Sequence, residues 1–128
     1  MSASTYFVRK ELKESELAAA LNQKSIEHYL KAAAAHGEGK EDEGTSWNNA
    51  GLGFYWSADK LGKAIEAENK GQLGEAQKWR EAAALQQHSV DPFLQAARAH
   101  AAGNTSEGNR LNSEGVSIFN QAGKLGKK

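Results

Sequence analysis

Apolar residues recur along this chain at spacings of three and four, as expected of helices that bury one side. Val8, Leu12, Leu17 and Leu21, with Ala18 to Ala20 between them, predict a first helix over roughly residues 5–23. Ser25 then stands where a hydroxyl would cap a second helix, and Glu27 suits that helix's positive end. Gly37 and Gly39 stop it near His36. A third helix is expected from about Glu41 through Trp47 to Trp56. With one proline in 128 residues, and Ala, Glu, Lys, Leu and Gln abundant, the whole chain reads as all-α.

The pattern repeats. Residues 25–64 align without a gap onto 89–128, and 16 of the 40 positions are identical. A shorter period of 32 lies beneath this one. It aligns Ser25, Ser57 and Ser89; Ala32, Ala64 and Ala96; Ala35, Ala67 and Ala99; Gly39, Gly71 and Gly103; and Glu43, Glu75 and Glu107. Trp47 meets Trp79, with Leu111 in the third copy. Each column has a physical role: serine as an N-cap, alanine for close helix approach, glycine for a positive φ in the turn, and glutamate at a helix start. Asn104-Thr105-Ser106-Glu107 is the stretch best suited to a capping box. The unit expected is a 32-residue helical hairpin in a single domain: a leading helix over 1–24, repeats over 25–56, 57–88 and 89–120, and a truncated fourth over 121–128.

In these columns the chain resembles the tetratricopeptide repeat family. The residues that carry the likeness are Ala32, Gly39, Gly44, Trp47 and Gly51 in the first unit. Ala64, Gly71, Ala76, Trp79 and Ala83 follow in the second, and Ala96, Gly103, Gly108, Leu111 and Gly115 in the third. The 32-residue period, an aromatic one residue early and the missing proline at each unit's end depart from that family's pattern. The resemblance implies about seven helices in stacked antiparallel hairpins, a tetratricopeptide-like right-handed αα superhelix. It also implies a protein- or peptide-binding module acting as an adaptor or scaffold. A self-assembling, homo-oligomeric structural protein is the alternative, and a small-ligand-binding or enzymatic bundle ranks below both.

Composition narrows the partners. Alanine supplies 22 of the apolar residues, so any core is thin and close-packed. Lys plus Arg equals Asp plus Glu at 16 each, which gives no net field for nucleic acid or an anionic membrane. The absence of cysteine fits a reducing compartment, and no apolar run approaches the ~20 residues of a membrane span. A basic, then apolar, leader is not visible at the start, so a cytoplasmic protein is expected.

Candidate chemistry is sparse. His36 and His100 share a column at a helix end, where the helix dipole favours histidine, and neither has metal-ligand spacing to a second group. His28 and His88 are isolated. The run from Gly37 to Gly44 lacks the Gly-Lys-Ser/Thr of a phosphate loop and the ligand spacing of a calcium loop. Without a nucleophile–base arrangement, the chain is expected to be no enzyme and to hold no cofactor or metal. Lys31 and Lys63 share one column and Lys60 another. Their bland account is a solvated face; the functional one joins them to a partner-binding surface. Phe54-Tyr55-Trp56 fans too widely for one buried stripe. Column comparison buries Phe54 and Tyr55 and leaves Trp56 as an exposed interface anchor, or else packed on the first helix. Trp47 and Trp79 are expected in the core.

Overall fold

Three turns of three residues punctuate the chain, and each is built on a glycine. The structure, a computed structural model, describes residues 3–127, with side chains from 13 to 126. The side chains of Val8, Leu12 and Lys127 therefore lie outside the described residues. Gly39, Gly71 and Gly103 have φ of 80°, 76° and 82°, the left-handed conformation that their shared column predicts. The Gly39 N–H donates to the His36 carbonyl (3.0 Å) and the Lys40 N–H to that of Ala35 (2.8 Å). The same pair of bonds closes the turns at Gly71 and Gly103. These are Schellman motifs, which satisfy carbonyls left over at a helix end.

The turns separate four helices: α1 (Ala3–Gly37), α2 (Glu41–Asn69), α3 (Leu73–Ala101) and α4 (Thr105–Lys127). The all-α class holds, but the expected seven helices are four. A 29-residue helix and its turn fill the 32-residue period, so the repeat is one long helix and not a hairpin. The expected breaks at Ser25, Ser57 and Ser89 do not occur. Each serine lies inside a helix, buried, with its hydroxyl donating backwards: Ser25 to the Asn22 carbonyl (2.8 Å), Ser57 to that of Gly53 (2.7 Å), and Ser89 to that of Gln86. A serine can cap a new helix or bond back within an old one. With no glycine in residues 54–61 or 86–93, nothing reverses the chain there.

Short turns make successive helices antiparallel. The backbones of α1 and α2, α2 and α3, and α3 and α4 pack directly, while α2 and α4 approach briefly. Among the described residues α1 and α4 make no such approach, so the helices form an open row and not a closed bundle. Leu21, Ala50, Phe54, Ala58, Val90 and Phe93 form the core, with Ala18, Leu94 and Phe119 against it. Glycines set the spacing. A Cβ on Gly53 would sit 2.7 Å from Val90 Cγ2, so only glycine lets α3 come this close to α2. One long side chain crosses the row: Arg80 of α3 pairs with Glu14 of α1 (2.8 Å) and with Glu68 of α2.

Pro92 lies inside α3 and is buried. It deprives the helix of one N–H, at a propensity cost of about 3 kcal/mol against alanine, and the ring's apolar burial recovers only part of that. Pro92→Ala is therefore expected to raise stability by roughly 1–2 kcal/mol. A raised urea midpoint would confirm this, and a lowered one would mean that the ring's packing outweighs the lost bond.

Candidate functional site

Helix periodicity gathers the chemistry on one face. Trp56, Lys60 and Lys63 follow one another at intervals of four and three along α2, Trp79 and Gln86 stand seven apart on α3, and Phe119, Gly123 and Gly126 run down α4. Together they line a depression of about 350 Å³ where the three helices meet. Its walls are indole and phenyl rings. Its polar side chains are Lys60, Lys63 and Gln86.

Two of the three are buried, Lys60 at 7% exposed and Gln86 at 1%, while Lys63 is exposed. The Lys60 ammonium donates to the Ala122 carbonyl at 3.4 Å, a long bond for a charged donor. Among the described residues no carboxylate lies within ion-pair distance of it, because Asp59 is paired with Lys63 at 3.2 Å. The Gln86 Oε1 is buried and accepts no hydrogen bond among the described residues. A buried cation without a counter-ion and a buried amide oxygen without a donor both raise the energy of the fold.

Burial first, then the charge of Lys63, pushes the Lys60 ammonium below its usual range, and Asp59 offsets part of the effect. The folded-state value is thus below the unfolded one. Below the lowered folded value both states hold the proton, so the cost of burying the charge is fully present there. It is relieved as pH rises from the lowered folded value towards the ordinary 10.5. Lys60→Met is expected to be more stable than wild type at pH 7 by about 1 kcal/mol, with the gap narrowing as the pH approaches that of free lysine. Urea midpoints of both proteins at the two pH values test this; a less stable variant at pH 7 would refute it.

Of the four partner-binding candidates read from the sequence, Trp56, Lys60 and Lys63 come together here. Lys31 does not: it lies on α1 with its ammonium 4.7 Å from the Trp47 ring centre. Lys63 stands over Trp79 in the same way, at 4.9 Å, so this lysine column shields a tryptophan column. Trp47 and Trp79 are accordingly half-buried and not in the core. The solvated-face account of Lys60 fails, because α4 covers it. Tyr55, expected inside, is 44% exposed and meets Trp56, 36% exposed, edge to face at 5.2 Å. Phe54 is buried as expected. His36 and His100 end their helices with the ring over a glycine: a Cβ on Gly44 or Gly108 would come within 2.7 Å of the imidazole. His36 Nδ1 also meets Glu41 at 3.0 Å. Glu107, the capping-box candidate, pairs instead with Arg110.

Sequence reasoning missed Trp79, Gln86 and Phe119 as site residues. One signal was available for Gln86, whose column is otherwise Phe54 and Ile118. One period earlier, the same place in the fold is filled by apolar and aromatic groups. There the His28 ring packs 4.9 Å from Phe54 and 5.7 Å from Trp47. The depression arises where Gln86 replaces Phe54 and Lys60 replaces His28. No protein-family model, curated protein or solved structure matches the chain, so function has to be read from these side chains.

Proposed function

We propose that this chain is a protein- or peptide-binding module, an adaptor with no catalytic role, whose partner docks on the face around Trp56. The observation that carries this is the Tyr55–Trp56 pair. Two large aromatics are held edge to face and exposed beside the depression. Exposed tryptophan and tyrosine supply much of the binding energy where proteins meet, and here their orientation is fixed by each other. Affinity capture with wild type and Trp56→Ala in parallel tests the reading. At least one protein retained by wild type and lost from the variant is expected; identical sets, or none, would overturn it.

Self-association is the second reading, and α1 supplies its observation. Ile26 and Leu30 are exposed, whereas their counterparts 64 residues on, Val90 and Leu94, pack into the core. The outer side of α1 thus repeats a surface that α3 buries. A concentration-dependent increase in sedimentation rate, abolished by Leu30→Lys, would favour this reading. A monomer at every concentration would remove it.

A further inference from the structure

The depression has a chemistry of its own, independent of what docks at its rim. We propose that it is a small-molecule site for an aromatic carboxylate carrying a hydroxyl or N–H beside the acid group. The carboxylate pairs with Lys60, the donor bonds the Gln86 Oε1, and the ring lies among Trp56, Trp79 and Phe119.

Each part of the ligand answers a separate feature of the protein. Lys60 is a buried cation without an ion-pair partner among the described residues, so it favours an anion. A single ammonium in apolar surroundings matches one negative charge. Lys63 adds little, since it is held by Asp59 and lies over Trp79. A dianionic phosphate would ask for more donors than these. The Gln86 oxygen is an acceptor with no donor among the described residues, and a turn of its side chain towards the depression it lines lets a hydroxyl or N–H on the ligand supply one. Three aromatic rings favour a ring partner by stacked or edge contacts. The volume, about 350 Å³, sits at the small end of ligand sites and suits one ring with a short acid chain.

The repeat gives an internal comparison. At the equivalent place one period earlier, Phe54 and His28 fill the interior with rings. Only at the second level are both positions long, polar and incompletely satisfied. These two residues lower the stability of the scaffold where the repeat already contains a stable solution, as expected when residues are held for binding. Gly123 lines the depression, and a Cβ there would meet nothing within 4 Å, so a larger side chain can be placed at its edge without a clash.

The test uses the full chain and three probes: 3-phenyllactate, 3-phenylpropionate, which lacks the hydroxyl, and 3-phenyllactamide, which lacks the charge. Tryptophan fluorescence and amide NMR shifts read binding, since Trp56 and Trp79 line the site. Saturable binding of 3-phenyllactate with Kd of about 1 mM or tighter is expected. Loss of the charge and loss of the hydroxyl should each weaken it roughly tenfold. Lys60→Gln should erase the preference for acid over amide, and Gln86→Leu the preference for the hydroxy acid. Gly123→Leu, which adds bulk to the lining without a clash at Cβ, should weaken or abolish binding while the far-UV circular dichroism stays unchanged. The proposal is overturned if wild type shows no saturation by about 10 mM, or if it binds acid and amide equally. Undiminished binding by folded Gly123→Leu would also overturn it. The probe comparisons on wild type decide the matter even if a variant fails to fold, and none of these outcomes bears on partner capture through Trp56.

Discussion

Phe93→Ala is expected to lower stability by about 3–5 kcal/mol, a large share of the roughly 5–15 kcal/mol that holds a domain of this size together. Phe93 is 2% exposed and sits in the core between α2 and α4. Its ring lies so close to α4 that a Cβ on Gly115 would be 2.6 Å from Cε1. The thin, alanine-rich core has few large side chains to collapse into the space left behind, so the cavity persists. Urea denaturation of the variant checks the loss, and a change below about 1.5 kcal/mol would show that the helices close over the gap. The reverse substitution sharpens the point. Gly115→Ala adds a methyl against a ring that cannot move, and should cost about 1–2 kcal/mol even after the gain in helix propensity. Gly51→Ala makes a similar approach, 2.8 Å, to the Tyr29 ring. Tyr29 is only half-buried and can swing outward, but the Ser25 carbonyl, 3.3 Å from that Cβ, cannot, so the change should cost less than Gly115→Ala without being a gain.

These contacts explain why parts of the fold were legible in the sequence and others were not. Glycine at 39, 71 and 103 announces a chain reversal, because no other residue takes that φ without strain, and those three turns are real. Serine at 25, 57 and 89 is ambiguous. Its hydroxyl is equally at home donating back to a carbonyl three or four residues earlier, and which bond forms depends on whether the chain turns. Gly44, Gly51, Gly108 and Gly115, which carry the family resemblance, are places of close approach, and they receive His36, Tyr29, His100 and Phe93. The site was half visible. Trp56, Lys60 and Lys63 share a helix, so spacing alone could group them. Trp79, Gln86 and Phe119 come from other helices, and their meeting depends on how the row packs. Lys31 shares the column of Lys63 but belongs to α1, and the indole it covers is Trp47 of α2.

The continuity of the helices gives the second large prediction. If a helix began at Ser57, residue 58 would be its first position, where proline is well tolerated and its missing N–H has no helical partner to lose. Inside a continuous α2 the same proline removes the bond to the residue-54 carbonyl and forces its ring against that turn. Ala58→Pro is therefore expected to cost 3 kcal/mol or more, by the usual penalty for an interior proline of about 3 kcal/mol, and Ala58 is also part of the core. Leu73→Pro is the matched control. Leu73 is the first residue of α3, exposed, and preceded by Gln72 at φ −89° and ψ 72°, clear of the α region that a following proline disfavours. That variant should stay within about 0.5 kcal/mol of wild type. Urea midpoints and far-UV circular dichroism of the pair discriminate cleanly: a tolerated Ala58→Pro would restore a helix boundary at Ser57. If Ala58→Pro is disruptive while Leu73→Pro is silent, the 32-residue period is one helix and one turn. Trp56, Lys60 and Lys63 then stand on a single rigid rod, and their spacing around the depression is set by α2 itself.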